Sequence, residues 1–178
     1  MSFSFSPKEA VNLNKDEGER LSSSLESMGT TFIKLGQFLA TRPDIIGEEL
    51  SKKLENLQDK LPPFSLKQAK EIIKNDLGDD TYNSIINFGE PVAAASIAQV
   101  HKAQINDEGT IKDVAIKILR PDIKKIFNEE IDAIMLFAFL VESFIKKTKR
   151  LKLVEVVFLL KEITNLEMDL RFEAAAAN

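Results

Sequence analysis

Lys117 sits between Ile116 and Ile118 in the strand-like run Val114-Ala115-Ile116-Lys117-Ile118-Leu119. A lysine in so apolar a run either turns to solvent by strand alternation or needs a partner for its ammonium. Upstream lies a stretch of small residues, Pro91-Val92-Ala93-Ala94-Ala95-Ser96-Ile97-Ala98. Its backbone N–H groups can donate to an anion, as a short helical turn; read more plainly, it is a tight connection between two strands. Downstream, Glu167, Asp169 and Glu173 fall in a helical pattern. On a regular helix Asp169 and Glu173 share a face, whereas Glu167 and Asp169 point about 200° apart. That spacing suggests two contacts, Glu173 toward Lys117 and Glu167 toward another element. The plain alternative is solvated charge on a surface helix. His101, the one histidine, reads as a packing residue on a strand and is given no chemistry.

The elements that position these groups follow from periodicity. Leu21, Leu25, Met28, Phe32, Leu35 and Leu39 recur at alternating fours and threes, one buried stripe of a helix from Glu17 to Thr41. Gly29 and Gly36 weaken that helix by up to ~1 kcal/mol each and signal close packing or a bend. Arg42-Pro43-Asp44 ends it. A second helix is expected from about Gly47 to Leu57. A third, from Leu66 to Asp76, has Ser65 as its N-cap and Gly78 as its stop. Asn106-Asp107-Glu108-Gly109 has the residues of a turn between strands Ile97–Ile105 and Ile111–Leu119. Pro121 suits the first turn of a largely apolar helix, followed by Lys146, Lys147, Lys149 and Arg150. A last helix from about Leu153 is expected to bury Val156, Val157, Leu160 and Ile163. The fold class is therefore α+β, with a small antiparallel sheet of about three strands between long helices.

Composition narrows the function. The 178 residues carry a net charge of −4, which argues against a nucleic-acid binder with a basic face. With no cysteine and one histidine, disulfides and cysteine nucleophiles are excluded and a protein-built zinc site is disfavoured. The start lacks the pattern of a secretory signal or transit peptide. The longest near-apolar segment, Ala133 to Val141, falls well short of the ~20 residues that cross a bilayer. A cytoplasmic protein is expected, with the apolar helix and its basic tail offering a peripheral contact with the inner face of a membrane.

Laid over the kinase glycine-loop pattern G-x-G-x-x-G-x-V, all three glycine positions hold alanine, Ala93, Ala95 and Ala98, and Val100 falls on the valine. Fourteen positions on, Val114-Ala115-Ile116-Lys117 matches the lysine strand. With Lys34-Leu35-Gly36-Gln37 upstream and Glu167-Met168-Asp169 downstream, the chain resembles the UbiB family of atypical kinases, the ADCK proteins of mitochondria, which support ubiquinone biosynthesis. The four motifs stand in the family's order over nearly the whole chain, from about Leu21 to Asn178. The polar, aperiodic start (residues 1–15) reads as disordered, and the resemblance implies a helical K-x-G-Q cap region (16–78) and a kinase-like N-lobe (79–178). It implies ATP over the loop residues Ala93, Ala94, Ala95 and Ser96, with Lys117 on the α- and β-phosphates and Glu173 as its partner. Lys34 and Gln37 would meet Glu167 and Asp169. Left-handed geometry costs an alanine roughly 1–2 kcal/mol, so the loop is expected to avoid the glycine-loop conformation.

The sequence holds no D-F-G and no catalytic-loop pattern. It reads as cap region plus N-lobe with the C-lobe absent, from a truncated gene, a split gene or an excised fragment. No catalytic residue and no metal ligand is expected in this chain, the Mg²⁺ ligands belonging to the C-lobe. The partners implied are a separate C-terminal half or ubiquinone-pathway proteins. The alternatives are a non-catalytic membrane- or partner-binding module and a decayed gene product.

Overall fold

The computed structural model describes residues 17–57, 59 and 61–176; the tail expected at residues 1–15 lies outside them. The chain divides into two compact units, Met1–Gln58 and Asp59–Asn178.

The first unit is helical: α1 (Glu17–Met28), α2 (Thr30–Ala40), α3 (Pro43–Ile46) and α4 (Glu48–Leu54). The single helix expected from Glu17 to Thr41 is broken at Gly29, whose φ of +105° leaves the helical region. The second glycine does the other job. A Cβ at Gly36 would lie 2.6 Å from Leu57 Cδ2 and 2.8 Å from Leu25 Cδ1, so the missing side chain is what lets α2 approach its neighbours. Gly36→Ala is expected to cost ~1–2 kcal/mol net, overpacking outweighing the up to ~1 kcal/mol of helix propensity regained, read as a lower urea midpoint; an unchanged or higher midpoint would mean the leucine ends move aside freely. Proline at 43 ends α2 but opens α3 at its first position, where no N–H is needed. The helix expected to reach Leu57 stops at Leu54.

The second unit begins with α5 (Leu66–Ser84). Ser65 caps it as expected: its side chain accepts from the Gln68 N–H, and Gln68 reciprocates in a capping box. Gly78, at φ +79°, interrupts it, and a helical segment resumes to Ser84 where a non-helical stretch was expected. α5 falls in the second compact unit. The reason is burial. Ala69 and Ile73 pack with Ile118 of the sheet.

That sheet has four strands rather than about three: β1 (Ile85–Ile86), β2 (Pro91–Ala94), β3 (Ala98–Asp107) and β4 (Thr110–Leu119), all antiparallel. β3 is central, with β4 on one side and β1 and β2 on the other. The β3–β4 turn is Glu108–Gly109, both at positive φ, the geometry of a two-residue hairpin. Asn106 Oδ1 steadies it by accepting from the Gly109 N–H at 2.9 Å. Alternation sends Gln99, His101 and Ala103 of β3 inward. Register puts Ile118 and Ile116 beside Gln99 and His101, so these share the face packed on α5.

After the sheet, α6 (Ile123–Phe144) and α7 (Leu153–Glu167) pack together, joined by a 3₁₀ segment, Lys146–Leu151. Pro121 precedes α6 by two residues instead of entering its first turn, because Asp122 takes a left-handed φ of +56° at the N-cap. Phe127, Ile131, Val156, Val157 and Leu160 are buried. Ile163 is exposed, contrary to expectation, and Thr164 takes its place in the stripe. The helix bearing the last acidic residues also breaks: α7 ends at Glu167, and α8 (Leu170–Ala176) starts afresh. No helix among the described residues is long and apolar enough to cross a membrane.

Candidate functional site

β4 sets Lys117 opposite Val100 of β3, and Val100 in turn opposite Ala93 of β2. Directly paired residues of antiparallel strands point to the same face. Ala93, Val100 and Lys117 thus form one row across the sheet, on the side away from α5. Lys117 is 34% exposed rather than buried, because β4 has a ladder neighbour on one side only. Its Nζ donates to Glu173 Oε2 of α8 at 2.5 Å. Beside Lys117 opens a cavity of about 500 Å³, bordered also by Asp76, Leu119, Lys124, Asp169 and Arg171.

Glu167 ends α7 and Asp169 immediately precedes α8, so the 200° separation of these two drawn from a regular helix does not hold across Met168. Met168 is buried and Asp169 opens α8. Its Oδ1 accepts from the Arg171 N–H at 3.2 Å and from Nε at 2.7 Å, and its Oδ2 from Nη2 at 2.5 Å. The Arg171 guanidinium is the main reason the Asp169 carboxyl falls to about 2, opposed by desolvation and helped by the Arg171 N–H and by the charges of Arg171 and Lys124. A depressed carboxyl favours the folded state fully above its unfolded value, and the benefit is lost as pH falls toward the folded one. NMR titration of Asp169 should therefore show a midpoint near 2, and Arg171→Ala should return it to the ordinary carboxylate range. A wild-type midpoint already in that range would refute the pairing.

Lys34 and Gln37 lie one turn apart on α2, both half-buried, in the first unit; Glu167, exposed, and Asp169, half-buried, belong to the second. No group of three or more His, Cys, Asp or Glu residues able to hold a metal occurs among the described residues.

The alanine loop avoids left-handed geometry. Among the described residues, positive φ outside glycine occurs at Asn87, Glu108, Asp122 and Lys152, and nowhere from Ala93 to Ala98. The loop is a bend closed by Ala95 N–H donating to the Ala98 carbonyl at 2.8 Å, not a helical turn. Two residues the sequence reading missed hold it. The Ser96 N–H donates to Asp59 Oδ1 at 3.1 Å. Arg120 donates through Nε and Nη2 to the Ala95 carbonyl at 3.0 and 2.8 Å. Burial lowers the Arg120 pKa, and the Asp59 charge opposes the shift.

Beneath the loop runs a second network. Gln99 Oε1 accepts from the Phe64 N–H at 3.0 Å, and its Nε2 donates to the Phe64 carbonyl at 3.3 Å. Gln99 Nε2 also lies 2.9 Å from His101 Nε2, and His101 Nδ1 lies 2.7 Å from the Gly89 carbonyl. A carbonyl only accepts, so Nδ1 carries the proton and Nε2 accepts from Gln99. His101 also stacks on Phe88 with ring centroids 4.5 Å apart. It is a fully partnered core residue.

A small antiparallel sheet, a lysine strand ion-paired to a helix carboxylate and an alanine loop joining two of the strands define a kinase-like N-lobe. The model of the ABC1 atypical kinase-like domain matches residues 56–178, and the chain belongs to that family. It is 38% identical over 162 residues to a probable protein kinase UbiB of Marinobacter nauticus, covering 90% of this chain and 29% of that protein. The same identity holds over 164 residues with the Aliivibrio fischeri protein of that name, covering 92% and 30%. It holds over 165 residues with that of Vibrio cholerae, again 92% and 30%. The chain thus spans about three tenths of the length of these relatives. No solved structure matches significantly.

Proposed function

We propose that this chain is the nucleotide-binding N-lobe of a UbiB-like atypical kinase or ATPase serving ubiquinone biosynthesis. ATP would lie against the row formed by Ala93, Val100 and Lys117. The backbone of Ala93, Ala94, Ala95 and Ser96 would border its phosphates, the Lys117 ammonium would meet the α- and β-phosphate oxygens, and Glu173 would hold that ammonium in place. Mg²⁺ would arrive with the nucleotide and neutralise phosphate charge. The observation that carries the reading is the Lys117–Glu173 contact at 2.5 Å, joining residues 56 apart in sequence.

The chain is not expected to complete phosphoryl transfer alone. Calorimetric titration with Mg²⁺-ATP should show binding without release of inorganic phosphate. Absence of binding would overturn the nucleotide reading, and turnover by this chain alone would overturn the incompleteness.

A second reading concerns the helices. Phe137 and Phe144 of α6 and Phe158 and Leu166 of α7 are each more than half exposed, far more apolar surface than isolated side chains explain. That favours a covering partner, either a separate C-terminal half or a ubiquinone-pathway protein, or a peripheral membrane contact aided by Lys146, Lys147, Lys149 and Arg150. Co-sedimentation with anionic liposomes separates the membrane outcome from the protein one.

A further inference from the structure

The carbonyl of Ala95 and the N–H of Ser96 are the two polar ends of one planar peptide group. Arg120 takes the first with two donors, and Asp59 takes the second. Rotating that peptide would break three hydrogen bonds at once, two of them to a guanidinium and one to a carboxylate, the charge-assisted kind that is strongest. Ser96 is fully buried and Ile97 and Ala98 nearly so, so water cannot readily replace the lost partners. Arg120 also donates its own N–H to the Ile97 carbonyl at 2.9 Å, which fixes the base of the clamp at the end of β4. Glycine loops gain their fit from backbone freedom. This loop has little of that freedom.

We propose that Asp59 and Arg120 are positioning residues of the alanine loop, fixing the Ala95–Ser96 peptide so that the loop offers one preset face to nucleotide phosphates. The inference rests on the nucleotide reading above, and its test has a readout that does not. In the full chain, Asp59→Ala should make the Ser96 amide exchange with solvent about tenfold faster, the change expected from one lost hydrogen bond. Amides in the middle of the β3–β4 ladder should keep their protection. Asp59→Asn retains an accepting oxygen and should restore slow exchange. Mg²⁺-ADP affinity should follow the same order, weakened several-fold by Asp59→Ala and largely recovered in Asp59→Asn.

Unchanged Ser96 exchange in folded Asp59→Ala overturns the clamp. So does a loss of protection spread evenly over the sheet, which would mark Asp59 as a general stabiliser. Should Asp59→Ala not fold, Arg120→Lys tests the same peptide from its other end, since a single ammonium nitrogen replaces the two guanidinium nitrogens on the Ala95 carbonyl; it too should speed Ser96 exchange. If the wild-type chain binds no Mg²⁺-ADP, the nucleotide reading fails by itself, and the exchange data still decide whether the clamp exists.

Discussion

Lys117→Met is expected to leave the protein folded and to weaken Mg²⁺-ATP binding about 10- to 100-fold, the loss of one charged hydrogen-bonding group worth ~1.5–3 kcal/mol. The two effects separate because of where the side chain lies. Lys117 and Glu173 are 34% and 61% exposed, and ion pairs so open to water contribute only ~0–1 kcal/mol to stability. Methionine keeps an apolar stem in the row beside Val100 and removes the ammonium alone. The urea midpoint should therefore barely move while the calorimetric affinity collapses. Glu173→Gln should have a smaller effect on binding, because an amide oxygen still accepts from Nζ but no longer holds it by charge. Wild-type affinity in Lys117→Met would remove the lysine from the site. Equal losses of affinity and stability would assign it a structural role instead.

What sequence could and could not reveal divides along a physical line. Features specified by neighbouring residues were legible. The Ser65 cap, the interruption at Gly78 and the turn within Asn106–Gly109 follow from local backbone chemistry. Gly29 and Gly36 were recognisable as a bend or a close approach, though only coordinates show that one is each. The start of α6 only after Asp122 was not legible, since a proline two residues before a helix and one in its first turn look alike. Nor was the break at Met168, through which hydrophobic periodicity runs. A two-residue strand such as β1 has no alternation to detect. Among the candidate site residues, Lys117 and Glu173 stood out through motif spacing. Asp59 and Arg120 did not, because their partners lie 37 and 25 residues away and a hydrogen bond to a backbone atom imposes no residue type there.

Gln99 extends that lesson to stability. It is a polar residue on an inward position of the central strand, fully buried, and only its partners explain why an apolar side chain does not stand there. Gln99→Leu keeps the approximate volume but orphans the Phe64 N–H, the Phe64 carbonyl and His101 Nε2. Each buried group left unpaired costs ~1–3 kcal/mol. The leucine's own transfer to the interior and partial wetting of Phe64 offset some of that, so a net loss of ~3–5 kcal/mol is expected, large beside a typical total of ~5–15. Chemical denaturation measures it, and a loss below ~1 kcal/mol would mean the network is not closed to water. Nitrogen-15 shifts of His101 give an independent check: the wild-type ring should be the neutral tautomer protonated at Nδ1, donating to Gly89. The same strand thus holds Lys117's neighbour Val100 on one face and this network on the other. Destabilising Gln99 should therefore loosen the nucleotide row indirectly, with affinity falling only as far as folding does, whereas Lys117→Met separates the two.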